Sequence, residues 1–278
     1  MTKYGIQTLC VFYLFVIFCI PFCVAILPAI YLTGLLKVIF IIFSPFVFSI
    51  TFAIVAGLLS LTGRKAIVAG RYPRSLQHPI YGVRRLYNVC WTVLYYSGPI
   101  YYLCLTLPWI KKIVFRLFGY KGAMDVTIYP DTWVRDLPLL QIESGVYLSN
   151  KATIGTNVCL LSGDILVDKI TILSGAMIGH LCMIAPGVTL EQKTEVGVGS
   201  QIGIGVVFGR NSKIGANSTI NHYAKISENV NIGTFCYIGT NSVIYPGIRI
   251  QPGTVIPDNV VIDLQEKANR YFKAVNVE

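Results

Sequence analysis

The sequence predicts a parallel β-helix of six-residue repeats, preceded by an α-helical membrane region. Three observations predict it. A ladder of apolar residues recurs at every sixth position from Leu148 to Ile262. Two long runs without a charge occupy the first 63 residues. The charge is also unevenly divided: no Asp or Glu precedes Asp125, yet twelve of the 23 Lys and Arg do.

The apolar runs come first. Tyr4 to Leu36 is 33 residues without a charge, and Val38 to Gly63 is another 26. A spanning helix needs about 20 apolar residues, and a secretory signal's apolar region is shorter than either run. Residues 1–63 are therefore expected to form two transmembrane helices, with the turn at Thr33, Gly34 and Lys37. Pro21, Pro28 and Pro45 are compatible with helices in a bilayer. Residues 64–124 form a basic juxtamembrane region that opens with Arg64, Lys65, Arg71 and Arg74. Positive charge favours the cytoplasmic side, so the second helix ends there and the β-helix domain follows it there. Basic residues between apolar runs point to membrane lipids with anionic headgroups, not to nucleic acid.

The uncharged run from Leu86 to Ile110 has two readings. It holds seven tyrosines and tryptophans, and Gly98-Pro99 breaks it near the middle. A third span would leave basic pairs (Arg84-Arg85 and Lys111-Lys112) on opposite faces of the membrane. A re-entrant or interfacial helix pair keeps both pairs cytoplasmic and places the aromatics at the interface.

The ladder begins at Leu148 and runs through Ile154, Leu160, Leu166, Ile172, Ile178 and onward to Ile262. All twenty positions are apolar and nineteen are aliphatic. A period of six fits neither a helix nor plain strand alternation. It fits short strands with a corner every six residues, three sides to an 18-residue coil, stacked so that neighbours bury one apolar face. Four residues past each ladder position sits a small or β-branched residue, with Asp164 the exception. One residue past it is often glycine, which suits a tight corner. The β-helix domain is expected over residues 125–263, coiling from about residue 142 with no extruded loop. Residues 264–278 form a tail, of which Leu264 to Val275 should cover the last coil. The eight cysteines show no CxxC pair and are expected to be reduced; Cys182 and Cys236 stack three coils apart in one core column.

These repeats resemble the hexapeptide-repeat acyltransferases. The resemblance implies a left-handed helix, transfer of an acyl group from a phosphopantetheine thioester, and a homotrimer with sites between subunits. Four linear motifs are similar to the membrane-anchored terminal domains of some non-ribosomal peptide synthetases of the polylysine-synthetase type. They are Gly70-Arg71-Tyr72-Pro73, Leu117 to Gly122, Trp133 to Pro138, and Asn150 to Asn157. The implied donor is an acyl-CoA or an acyl-carrier protein, with no metal; the acceptor is an amine or hydroxyl near the membrane.

Such an acceptor needs a general base, which histidine supplies near neutral pH. Ile178-Gly179-His180-Leu181-Cys182 resembles the segment with the catalytic histidine in UDP-N-acetylglucosamine O-acyltransferases, which points to His180. His222, in Ile220-Asn221-His222-Tyr223-Ala224, is a weaker echo. Both follow a ladder residue by two, so both are expected to face outward, on adjacent faces. His78 reads as a headgroup-level residue, Arg135 and Asp136 as an ion pair with Asp136 in a turn, and Lys151 as an outward lysine. The three zinc-binding histidines of a γ-type carbonic anhydrase have no counterpart, and no nucleotide-binding domain precedes the repeats. A non-catalytic membrane scaffold is the alternative.

Overall fold

The computed structural model describes residues 3–272, which divide into two compact units. The first contains the chain up to Lys121, together with Asp136–Pro138 and Leu161–Ile165; the second contains the rest.

In the first unit, α1 (Lys3–Tyr31) and α2 (Gly34–Arg64) are long and apolar enough to cross a membrane. The break falls at Leu32-Thr33, and Gly34 takes a φ of 57°, so Lys37 lies inside the first turn of α2 and not in the connection. The two helices run antiparallel. Tyr13 and Thr62 share a 2.8 Å hydrogen bond, and Phe18 meets Phe52 edge-on. One face of α2 is a stripe of small buried residues that includes Ala53, Ala56, Gly57, Ser60 and Gly63. Helices in lipid pack through such stripes, because small side chains let backbones approach. A Cβ on Gly63 would fall 2.7 Å from the Tyr87 backbone nitrogen, and one on Gly57 would fall 2.9 Å from Leu117 Cβ. Elsewhere both helices expose large apolar side chains, among them Phe12, Phe15, Ile42 and Phe43.

The aromatic run is divided into α3 (Pro79–Tyr96), α4 (Gly98–Thr106) and α5 (Pro108–Leu117), each opened by a proline in its first turn. Trp91 is enclosed by Tyr101, Phe115 and Phe118. His78 caps α3, its Nδ1 accepting from the Tyr81 N–H at 3.4 Å. Arg84, fully buried, donates to Asp136, which has a φ of 50°. The partner of Asp136 is therefore Arg84; the expected pairing with Arg135 is not the one formed.

The second unit is a parallel β-solenoid of three faces, with seven strands in each. Face I runs from Thr127–Ile128 to Arg249–Ile250, face II from Trp133–Val134 to Val255–Ile256, and face III from Leu140–Ile142 to Val261–Ile262. Coiling thus starts some fifteen residues before 142. From Ile172 to Ile244 every ladder residue pairs with the one 18 positions later, as in Ile178 with Val196 and Ile184 with Ile202. These residues and the small ones between them are buried. Ser200, Ser212, Ser218 and Ser242 donate to carbonyls 15 residues ahead, at 2.7–3.0 Å. Cys182 and Cys236 occupy the same kind of core position, with Sγ 3.0 and 3.1 Å from the carbonyls of Gly197 and Gln251.

One expectation fails. Thr153 pairs with Met183, 30 residues on and not 18, so twelve extra residues leave the coil between Ile154 and Ile172. Two short strands, Asn157–Cys159 and Asp164–Val167, lie within this insertion. Leu160 and Leu166 are half-buried there and belong to no face ladder; Val158 is not in the core column. Twelve is twice six, so the sequence period passes through unbroken. A second irregularity, the 3₁₀ turn at Leu137–Leu139, lengthens one side of the first coil.

The glycines also have a different cause. Those one residue past the ladder lack positive φ. They are required because a Cβ at 179, 197 or 215 would lie 2.5–2.8 Å from the backbone of the next coil. The left-handed conformation sits two residues later, at Gly187, Gly205 and Gly253, and also at Asn217, Leu181, Tyr223 and Phe235.

The last coil is closed by α6 (Gln265–Arg270). The Gln265 side-chain amide accepts from the Arg249 N–H at 2.8 Å and donates to the Arg249 carbonyl at 2.7 Å. It thereby makes both bonds that a further strand would make to this edge. The expected tail extends to Val275, and its last three residues lie outside the described residues.

Candidate functional site

His222 stands at the corner where face II turns into face III. The strand Thr219–Ile220 leads into it, and Tyr223 follows with a φ of 58°. Its Nδ1 accepts the backbone N–H of Ile204 from the coil below, at 2.9 Å. The ring can lie this close because residue 203 is glycine: a Cβ there would sit 2.7 Å from His222 Nδ1. Asn221 holds the approach. Its Oδ1 accepts the His222 N–H at 3.1 Å, and its Nδ2 donates to Tyr237 Oη at 2.8 Å.

The imidazole closes one end of a groove of about 270 Å³ on face II. Met183, Gln201 and Thr219 project from successive coils along it, and Gly155, Pro186 and Gly203 bound its corner side. The base of the insertion supplies Asn157 and Val158 at the other end. Most of the wall is carbon, and the polar side chains on it are Thr153, Asn157, Gln201, Thr219, Asn221 and His222. Such a groove suits a narrow chain that carries few polar groups.

The bond to Ile204 has a chemical consequence. A neutral imidazole that accepts at Nδ1 carries its proton on Nε2. His222 therefore presents a donor to a ligand, not a free lone pair. That suits an oxygen that gains negative charge.

His180 lies elsewhere. It follows the face I strand Met177–Ile178 at the corner into face II, two coils below His222 and on a different edge of the prism. It is half-buried, and its carbonyl accepts from the Gly199 N–H at 2.8 Å. Among the described residues no side-chain hydrogen bond ties its imidazole. Leu181, next to it, is half-exposed with a φ of 58°. That conformation is the one the solenoid's corners repeat, as at Lys193, Tyr223 and Phe235, so it belongs to the coil and does not by itself mark a site.

The two predicted histidines are thus placed on one solenoid but are not brought together within one chain. Lys151 occupies the corner column of His180 and Leu181, with a φ of 55°. The parts of the groove not foreseen are Asn221, Gly203 and the insertion residues Asn157 and Val158, with Tyr237 behind Asn221; Asp164, out of pattern in the core column, was the sequence mark of the insertion. Among the described residues no group of three His, Cys, Asp or Glu side chains is arranged to hold a metal ion. Burial raises the thiols of Cys182 and Cys236 above the ordinary range, which suits core residues and not nucleophiles.

No family model matches the chain, and no curated protein matches it in sequence. Solved structures similar to it include GDP-perosamine N-acetyl transferase from Caulobacter crescentus, at 15% identity and a TM-score of 0.33 over 54% of this chain and 60% of that one. The acetyltransferase domain of PglB from Neisseria gonorrhoeae is similar at 14% identity and a TM-score of 0.28, over 55% and 62%. A UDP-N-acetylglucosamine acyltransferase from Bacteroides fragilis is similar at 18% identity and a TM-score of 0.34, over 56% and 75%. The chain spans about three-fifths of the length of the first two.

Proposed function

We propose that this chain is a membrane-bound acyltransferase that moves an acyl group from a phosphopantetheine thioester to an amine or hydroxyl at the membrane surface. The observation that carries this is the mostly apolar groove on face II, ended by a histidine whose ring a backbone N–H fixes. A pantetheine arm is a narrow chain with two amides, which suits the groove's apolar walls and the polar residues at its ends. The donor is acyl-CoA or an acyl-carrier protein, and the family is that of the hexapeptide-repeat acyltransferases. The relation to synthetase terminal domains rests on the four linear motifs.

The two histidines then take different parts. His180, with an uncommitted imidazole, removes the proton from the acceptor as its nitrogen or oxygen attacks the thioester carbonyl. His222 donates from Nε2 to the carbonyl oxygen as it becomes an oxyanion. The tetrahedral intermediate collapses, the C–S bond breaks, and the thiolate takes up a proton to leave as the free thiol. Because the histidines stand on different edges of one prism, a second copy of the chain must complete the site. This is the arrangement expected of a homotrimer. The helices α1 and α2 anchor the enzyme, and the basic residues after α2 keep the β-solenoid on the cytoplasmic side.

The test is release of free thiol from acyl-CoA by the full-length chain in nanodiscs, with amine and alcohol acceptors in parallel. Thiol release that depends on acceptor and is abolished by His180→Ala supports the proposal. If no thioester is consumed with CoA or carrier-protein donors, the chain is a membrane scaffold.

A further inference from the structure

We propose a second site, in the helical unit, that binds a phosphate group: the headgroup of an anionic membrane lipid. It is a cavity of about 370 Å³ lined by Arg64, Lys65, Arg116, Lys121, Tyr120 and Pro138. Four of its lining side chains are cationic and none is acidic. The sequence allows this, because no carboxylate occurs before Asp125 to neutralise them.

The guanidiniums are positioned and not merely clustered. Arg64 donates from Nη1 to the Leu117 carbonyl at 3.3 Å, and Arg116 donates from Nη1 to the Tyr120 carbonyl at 2.7 Å. Gly119 is bound to be glycine here. Its φ is 86°, and a Cβ would lie 2.7 Å from Arg64 Cδ and 2.9 Å from Pro138 Cγ. The turn that ends α5 therefore lets the Arg64 side chain pass across it. An arginine so fixed loses little freedom on meeting an anion, and its planar fork matches two phosphate oxygens. Lys65 and Lys121 add mobile charge at the rim.

The location selects the ligand. Arg64 is the last residue of α2, where 31 helical residues with almost no charge give way to polar chain. If α2 crosses the bilayer, this is the depth of lipid phosphates, and basic pockets at that depth take phosphorylated headgroups. The reading of α2 as a span decides the source of the phosphate; the cavity and its charges stand without it. Acyl transfer is not needed for either.

The experiment uses the full chain and reads binding, not turnover. It is reconstituted in phosphatidylcholine nanodiscs with and without phosphatidylglycerol, and retained lipid is counted by native mass spectrometry; glycerol phosphate and inorganic phosphate are titrated in a separate arm. We expect phosphatidylglycerol to be retained over phosphatidylcholine. Lys65→Gln/Lys121→Gln should weaken retention about tenfold, a loss of about 1.4 kcal/mol. Both lysines are exposed and make no side-chain hydrogen bond among the described residues, so the fold is not at risk. Arg64→Gln/Arg116→Gln should weaken it at least as much. Lys37→Gln/Lys112→Gln, which removes equal charge outside the cavity, should change it little. Saturation by inorganic phosphate without lipid preference would assign a soluble phosphate instead and overturn the lipid assignment. Equal losses for the cavity and control variants, or no loss for either, would overturn the site.

Discussion

The Ile204 backbone N–H donates to His222 Nδ1 at 2.9 Å, across a coil-to-coil gap that only glycine at 203 leaves open. A main-chain amide cannot reorient as a side chain can, so the ring is set by the solenoid itself. The repeat that makes the fold therefore also fixes the tautomer at the end of the groove.

Gly203→Ala tests that link. The added methyl group would lie 2.7 Å from both His222 N and Nδ1, so ring and corner must move. Overpacking of this kind costs about 1–3 kcal/mol. Gly209→Ala is the control, because its Cβ would lie 2.4 Å from Glu228 N with no histidine nearby. Thermal unfolding should show similar losses for both, whereas thioester turnover should fall for Gly203→Ala alone. Equal loss of turnover would mean that coil spacing, not ring position, was responsible.

Deleting residues 157–168 should leave a folded solenoid. The Asp168 N–H donates to the Thr156 carbonyl at 2.9 Å, so the insertion leaves and re-enters the coil at neighbouring points. Joining Thr156 to Lys169 restores the step of six from Ile154 to Ile172. Circular dichroism should retain the β signal, and turnover should fall because the groove loses Asn157 and Val158. A deletion of nine residues instead would shift the ladder by three and should not fold. If both deletions fold equally well, the phase argument is wrong.

That insertion also shows what the sequence could and could not disclose. The ladder, the three faces and the inward serines follow from burial at period six, so side-chain types alone reveal them. An insertion of two whole repeats leaves that period untouched. Only Asp164, a carboxylate where the core needs a small residue, marked it, and it forms an ion pair with Arg71 at 2.7 Å. The histidines were legible as residue types; their environments were not. Nothing in the linear pattern tells that Ile204 would engage His222, or that among the described residues no hydrogen bond would tie the His180 ring. Asp136 was misjudged for a similar reason, since sequence neighbours favoured Arg135 while burial selected Arg84.

Asp136→Asn should be among the most damaging substitutions outside the solenoid core. Asparagine tolerates the φ of 50° and keeps the shape, so the change isolates the charge. It leaves Arg84 buried without its counter-ion, which typically costs about 3–5 kcal/mol. Chemical denaturation in detergent should show that loss, and Arg84→Gln/Asp136→Asn should recover most of it. A double variant no better than the single would mean that the loss lies in packing and not in uncompensated charge.

Cys182 and Cys236 should resist alkylation in the folded protein. Burial disfavours the thiolate and raises both pKa values, so the reactive fraction at about pH 8 is smaller than for an ordinary thiol. Cys159 is exposed and should be labelled first. Maleimide labelling followed by peptide mass analysis should find Cys182 and Cys236 modified only after unfolding. Rapid native labelling of either would contradict the stacked core column.

The last prediction concerns the division of labour between the histidines. His180→Ala should lower turnover by about 10²–10⁴, the loss typical of a positioned base. His222→Ala should cost less, and His222→Gln less still, because an amide can supply a hydrogen bond but not a base. Folding should be intact in each, since both residues stand at corners outside the core columns. Because the two lie on different edges, the single variants should complement each other when mixed. In random hetero-oligomers about a quarter of shared sites receive an intact His180 from one copy and an intact His222 from its neighbour. Recovery of activity on co-expression, with each variant alone remaining poor, establishes a site between subunits. If mixing restores nothing while His180→Ala alone is inactive, chemistry is confined to one chain and His222 is a bystander. If His222→Ala is the inactive variant and His180→Ala retains full rate, the base is His222, and the bond from Ile204 must break during turnover.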